Sequence, residues 1–212
     1  MGGLVLYAYL GLGEQDPAPA CAVTLGSPIR FPRMASQLSH TLGSVLMHLP
    51  LPDLIPQRLA LGALWHTIGR TKALEVGMNP ANIDHRLVAK ALRRSLSDGS
   101  RAKLKQMSQW SANGTFASID RQIDYRANMC RIRIPFLIVA GECDQLAPPE
   151  NVALAYDLLG SQIKQFRVLS EKNHFSADYG HVDLVLGRSA PDEMFPLVEE
   201  FVGRILGAEV SQ

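Results

Sequence analysis

The length, composition and charge of the chain limit the kind of protein it can be. Its 212 residues are 47% hydrophobic and 19% charged, as in a globular chain that buries one good core. The formal net charge is +1, so no overall field favours nucleic acid or an anionic membrane surface. Three cysteines without a C-x-x-C spacing argue against a disulfide framework, and the expected localisation is cytoplasmic. No apolar run reaches the ~18 residues of a membrane helix, so no membrane span is predicted.

Residues 1–32 predict a helix followed by a strand. A helix over 2–13 has apolar side chains on more than one side, which indicates a helix buried all round. These side chains are Leu4, Val5, Tyr7, Ala8, Leu10 and Leu12. Residues 20–26 are a short apolar run that closes with glycine, serine and proline, which is typical of a buried strand.

Residues 33–128 predict an insertion of helices rather than another unit of the sheet, because proline and glycine separate the apolar segments. Within it, Ile83, Leu87, Ala91 and Leu92 fall on one helical face. The first half of the insertion, between residues 42 and 68, is rich in large apolar side chains. They could line an apolar substrate channel, although packing between helices is the more frequent explanation of such a pattern.

Residues 129–212 alternate strands and helices. Strands are predicted over 134–140 and 164–169, with a helix from Pro148 to the glycine at 160 between them. A last helix carries an apolar stripe that includes Leu197, Phe201 and Ile205. Together with the strand at 20–26, this pattern predicts an α/β fold with a parallel sheet, and it places ligand chemistry outside the carboxyl ends of the strands.

Two candidate reactive residues follow neighbouring strands of this predicted sheet. Asp144 lies in the loop GECDQLAPPE, and His181 follows the next strand, 37 residues later. Loops after neighbouring parallel strands emerge side by side, so the carboxylate could orient the imidazole and stabilise its protonated form. Alternatively, Asp144 caps the helix near Pro148, and a lone loop histidine is more often structural or solvent-exposed.

The segments around these residues resemble the α/β-hydrolases, especially lipase-like members and those related to polyhydroxyalkanoate synthases. IPFLIVAGECDQLAPP resembles the strand, acid and turn of that family, and DYGHVDLVLG resembles its histidine loop. The opening MGG is similar to the second half of the family's G-x-S-M-G-G motif. The resemblance implies a serine hydrolase that cleaves small acyl or carboxylic esters, with catalytic Asp144 and His181 and with the backbone of Met1 at the oxyanion hole.

The same resemblance implies the C-terminal part of an α/β-hydrolase fold, truncated just after the nucleophilic serine. Residues 1–32 would be core, 33–128 a helical cap, and 129–212 the rest of the core. Ser27 and Cys143 lack the turn that exposes a nucleophile, and nothing in the sequence aims Ser176 at His181, so little activity is expected of the chain alone. The alternative is a non-catalytic binding or subunit-interaction module that associates through an exposed sheet edge.

No cofactor or metal is expected. The histidines His40, His48, His66, His85 and His174 are scattered without metal-ligand spacing. The basic stretch over 93–105 is interrupted by apolar positions at helical spacing and has no flanking aromatic series, so a solvated helix face is favoured over a nucleic-acid partner.

Overall fold

The computed structural model describes residues 1–13, 17–31, 54–55, 76–95 and 99–210. Short 3₁₀ turns occur at Pro80–Asn82, Met129–Arg131 and Glu171–Asn173. The helices and strands, in chain order, are α1 (Gly2–Leu12), β1 (Ala22–Leu25), β2 (Leu54–Ile55), α2 (His85–Ser95), β3 (Gly99–Ser100), α3 (Arg101–Asn113), α4 (Tyr125–Asn128), β4 (Phe136–Gly141), α5 (Pro149–Leu158), β5 (Lys164–Leu169), α6 (Asp183–Leu186) and α7 (Met194–Val210).

Strands β1, β4 and β5 form a parallel sheet with β4 in the middle. All six residues of β4 are buried, as expected for a parallel strand that is covered on both faces. The strand begins at Phe136, later than predicted, because Pro135 has no N–H to donate. The carbonyl oxygen of Pro135 instead accepts a hydrogen bond of 2.9 Å from the backbone of Ala22. The predicted α/β fold with a parallel sheet and flanking helices is confirmed.

The two faces of the sheet pack against different helices. Phe136, Ile138 and Ala140 of β4 point into a cluster that includes residues of α1, α3 and α5. The alternate residues Leu137 and Val139 point into a second cluster, with side chains of α7 and of the loop that follows β5. This alternation follows from the two-residue period of a strand. The loops after the strands therefore project from the edge of a sheet that helices cover on both sides.

Helix α1 is buried on one face only, so the prediction of a helix buried all round is wrong. Leu4, Tyr7 and Leu10 are at most 4% exposed, whereas Val5 is 60% exposed and Leu12 is 37% exposed. The spacing of three residues puts the buried side chains on one face. That face contacts β1, α4 and the turn at Met129–Arg131.

Within residues 33–128, β2 and β3 form a short antiparallel pair, and the assignment of this stretch to a helical cap stays a prediction. The helical face predicted around Ile83 and Leu87 is also wrong. Ile83 lies before α2 in extended backbone, bridged to Gly187. Leu87 is 47% exposed, while its neighbour Val88 is fully buried. The apolar residues between 42 and 68, for which packing between helices and a substrate channel were both considered, lie outside the described residues, apart from the backbone of Leu54–Ile55.

Candidate active site

The loop after β4 holds Asp144 in a fixed, buried position. Its side chain is 0% exposed. Its Oδ1 accepts hydrogen bonds from the backbone N–H groups of Leu146 at 2.9 Å and Ala147 at 2.7 Å. Helix α5 has Pro148 as its N-cap and no side-chain cap hydrogen bond. Asp144 therefore shapes the loop before α5 and does not cap the helix, and its second oxygen is available for another partner.

That partner is His181, as the sequence predicted. The Nδ1 atom of His181 lies 2.8 Å from Oδ2 of Asp144, and the imidazole side chain is 33% exposed. A carboxylate only accepts, so the hydrogen-bond network assigns a proton to Nδ1. The neutral ring then carries its lone pair on Nε2. The structure thus brings the two residues together at the carboxyl edge of the sheet, in the arrangement of a base and its orienting acid.

Gly26, at the end of β1, lies directly behind this pair. Its φ is +50°, and a Cβ atom placed on it would lie 2.8 Å from Nδ1 of His181 and 3.0 Å from Oδ2 of Asp144. Its backbone N–H donates to the carbonyl of Val139 at 2.8 Å, which fixes its height beside β4. Sequence reasoning treated Gly26 only as the end of a strand. Its place at the site depends on the pairing of β1 with β4.

A Gly26→Ala substitution is expected to lower the free energy of unfolding by about 2–4 kcal/mol, because a positive φ and the collision with the pair act together. Gly114→Ala is the matched control, since Gly114 has a φ of +63° and a Cβ atom placed on it would meet nothing within 4 Å. Its expected loss is only about 1 kcal/mol, from backbone strain. Urea unfolding of both variants measures the difference, and equal losses would contradict the placement of Gly26 against the pair.

Residues 76–79 connect the loops that carry the two side chains. The carbonyl of Val76 accepts from the backbone N–H of Gln145 at 3.1 Å, and the carbonyl of Gly77 accepts from that of Val182 at 3.0 Å. Gln145 is next to Asp144, and Val182 is next to His181. The segment therefore ties the acid loop to the histidine loop. Sequence reasoning missed it because it lies about a hundred residues from His181 and has no motif of its own.

Tyr179 ties the histidine loop to the sheet and to the turn that precedes α7. Its N–H donates to the carbonyl of Leu169 at 3.2 Å, and its carbonyl accepts from Cys143 at 2.9 Å. Its hydroxyl donates to Glu193 at 2.6 Å. Burial, followed by the contact with Glu193, raises the pKa of Tyr179 well above its ordinary value, so the hydroxyl stays protonated as a donor. These bonds connect the backbone before His181 to β5, to the acid loop and to the turn before α7.

Met1 lies at the start of α1, near the same edge of the sheet. Its carbonyl accepts from the backbone of Leu4 at 3.1 Å. The start of α1 packs against the end of β1, since a Cβ on Gly3 would overlap the hydroxyl of Ser27. The role of the Met1 backbone at an oxyanion hole stays a prediction.

The side chains that sequence reasoning set aside as nucleophiles have other partners or the wrong chemistry. Ser27 is buried, and its hydroxyl donates to the carbonyl of Leu25 at 3.0 Å. The hydroxyl of Ser176 bonds that of Ser189 at 2.7 Å. Burial raises the pKa of the Cys143 thiol, and nearby carboxylates raise it further, which disfavours the reactive thiolate.

The remaining polar candidates lie partly inside and partly outside the described residues. Across the ranges that the structure describes, no three His, Cys, Asp or Glu side chains are arranged to hold a metal ion, and no helix is both long and apolar enough to cross a membrane. His40, His48 and His66 lie outside those ranges. Lys103 and Lys105 of the basic stretch are exposed on α3.

The chain is similar in fold to several solved hydrolase structures. No family model matches the chain, and no curated protein sequence matches it. A monoacylglycerol lipase from Paleococcus ferrophilus aligns with a TM-score of 0.57 and 14% identity over 95% of this chain and 65% of its own. A serine hydrolase from Cycloclasticus zankles aligns with a TM-score of 0.53 and 18% identity over 96% of this chain and 62% of its own. An alpha/beta fold family hydrolase from Bacillus anthracis str. Sterne aligns with a TM-score of 0.52 and 13% identity over 96% of this chain and 64% of its own.

These structures show that the chain has the α/β-hydrolase fold. At such low identity the likeness establishes the fold and not the reaction. The chain spans less than two thirds of the length of each of these structures.

Proposed function

We propose that this chain provides the acid and the base of a serine-hydrolase active site that cleaves carboxylic esters. The observation that carries the proposal is the 2.8 Å contact between Oδ2 of Asp144 and Nδ1 of His181. The acid is fully buried, while a third of the imidazole side chain is exposed. A buried carboxylate that fixes one nitrogen of a partly accessible histidine leaves the other nitrogen to exchange protons with a substrate.

In the proposed reaction, Nε2 of His181 takes the proton of a serine hydroxyl as its oxygen attacks the ester carbonyl. The protonated ring is stabilised by Asp144 and then gives the proton to the departing alcohol, which leaves an acyl-enzyme. Water, activated by the same nitrogen, attacks the acyl group and releases the carboxylic acid. Each cycle returns His181 to its neutral form. The reaction therefore consumes one ester and one water molecule and needs no other co-reactant.

The serine is proposed to come from outside these 212 residues. The sequence contains no Gly-x-Ser-x-Gly segment, the sharp turn that exposes the nucleophile in this fold. The serines that sequence reasoning considered have other partners. The chain by itself is therefore expected to show almost no ester turnover, because a site without its nucleophile keeps only what binding and an oxyanion hole supply.

The rim of the site favours an ester with an apolar acyl group. Leu146 is 51% exposed and Val76 is 40% exposed, and both belong to the loops that frame His181. Leu146 lies against Gly77, the residue whose carbonyl accepts from Val182. A lipase- or esterase-like substrate agrees with this rim and with the monoacylglycerol lipase among the similar structures. A relation to polyhydroxyalkanoate synthases would replace water by a second alcohol as the acyl acceptor.

Fluorophosphonate labelling combined with an ester assay tests the proposal. We expect the protein purified from its own host cell, with whatever segment or partner carries the serine, to hydrolyse para-nitrophenyl butyrate and to be labelled on one serine. The 212-residue chain expressed alone should neither be labelled nor turn over the ester. Labelling of a serine within the 212 residues would overturn the external nucleophile. Absence of turnover in the host's own form would favour a non-catalytic binding module.

A further inference from the structure

A second buried carboxylate lies two residues after His181, and the proposed mechanism does not use it. Asp183 is 0% exposed. Its Oδ2 accepts a hydrogen bond from the backbone N–H of Gly180 at 2.9 Å and another from that of Asn79 at 2.8 Å. Gly180 directly precedes His181, whereas Asn79 is 104 residues from Asp183 along the chain. A single oxygen atom thus joins the histidine loop to the segment 76–79.

We propose that Asp183 is a positioning residue that holds the backbone of His181 so that its ring meets Asp144. The positioning of His181 by Asp183 is argued from the contacts alone, whereas the effect of that positioning on catalysis rests on the proposed function. On one side of His181, the N–H of Gly180 is bound by Asp183. On the other side, the N–H of Val182 is bound by the carbonyl of Gly77 at 3.0 Å. Only His181 lies between these two fixed points.

The packing around this point leaves little freedom. A Cβ atom on Gly180 would lie 2.7 Å from the Cα of Met78, so the two backbones are in direct contact. The hydrogen bond from Asn79 to Asp183 holds this contact closed from the other side of the loop. Removing the carboxylate would leave the buried N–H of Gly180 and the partly buried N–H of Asn79 without their acceptor, and the loop would have to shift to reach another.

A purely local role explains Asp183 less well. An acidic residue in the first turn of α6 is favourable by itself, but it needs no burial and no distant partner. Burial raises the pKa of Asp183, and the nearby charge of Asp144 raises it further. Within the described part of the chain, its Oδ1 is buried without a hydrogen-bond partner. A carboxylate in so unfavourable a place is best explained by the two backbone groups that it joins.

The test is the low-field proton resonance of Nδ1–H in His181, recorded on the ¹⁵N-labelled 212-residue chain. Asp183→Ala is expected to lose or broaden this resonance, because the ring is no longer held against Asp144. Asp183→Asn should keep it, since the amide oxygen can accept both N–H bonds. Asp178→Ala is the matched control, because Asp178 is an acid of the same loop whose carboxylate accepts from the backbone of Glu171, and its loss should leave the resonance unchanged.

A second measurement decides the question if Asp183→Ala does not fold. In the unmodified chain, the amide protons of Asn79 and Gly180 should exchange with solvent as slowly as that of Val182. Exchange that is tenfold faster at either site would overturn the proposal, as would an unchanged resonance in a folded Asp183→Ala. The resonance does not depend on ester turnover. A protein without turnover whose resonance behaves as expected would refute the proposed function and leave the positioning role standing.

Discussion

A His181→Ala variant is expected to hydrolyse para-nitrophenyl butyrate with a kcat lower by on the order of 10⁶, in the form in which the host cell makes the protein. The reason is that Nε2 of this ring is the proposed acceptor and donor of the proton in both halves of the reaction. KM should change little, because the imidazole acts on the transition state rather than on the bound ester.

The matched control for this variant is His174→Asn. His174 lies in the same stretch after β5, is exposed and has a φ of +69°, a conformation that asparagine accepts readily. Its kcat should stay within a factor of about two of the unmodified protein, as for a surface substitution away from the site. A His181→Ala protein that keeps most of its turnover would remove this histidine from the mechanism.

Asp144→Asn should lower kcat by about 10⁴ while the fold is retained. The amide oxygen can still accept the N–H bonds of Leu146 and Ala147, which preserves the loop. Its NH₂ group would then face Nδ1 of His181 and donate to it. The ring is forced into the tautomer with its proton on Nε2, where it cannot take a proton from a hydroxyl.

Glu142→Gln separates this effect from a general loss of negative charge. Glu142 lies two residues before Asp144 and pairs with Lys172 at 2.7 Å on the surface. An exposed pair of this kind contributes little to stability. We expect unchanged kcat and KM for Glu142→Gln. If Asp144→Asn retained full turnover, or if both variants lost activity equally, the tautomer argument would be contradicted.

The two carboxylates near His181 do different work. Asp144 contacts the ring itself and is proposed to stabilise its charge, whereas Asp183 contacts backbone groups and is proposed to set where the ring stands. Because Asp183 binds the backbone and only Asp144 binds the ring, the histidine loop can be held in place while the ring stays partly accessible. This arrangement also predicts that losses at Asp144 and Asp183 are not additive, because both act through the same imidazole.

The part of the site that follows from short sequence patterns was predictable. The strands β4 and β5 are recognisable as apolar runs, and the loops after neighbouring parallel strands meet at one edge. That rule alone was enough to bring Asp144 and His181 together. The likeness to the α/β-hydrolases named the same two residues from their surrounding motifs.

The part that depends on distant packing was not predictable. Gly26 reaches the pair only through the register of β1 on β4, and the segment 76–79 reaches it from a distant part of the chain. The predictions of which helical side chains are buried were wrong for a related reason. Periodicity shows which side chains share a face, but the neighbouring elements decide which face is buried, as the exposed Val5 and Leu87 illustrate.

The central claim is tested most directly by the proton on Nδ1 of His181 in the unmodified chain. In a sample labelled with ¹⁵N-histidine, we predict one low-field proton resonance coupled to nitrogen, which disappears in both His181→Ala and Asp144→Ala. A resonance that is missing from the unmodified chain, or that persists when Asp144 is replaced by alanine, would show that the carboxylate does not hold the histidine and would contradict the account.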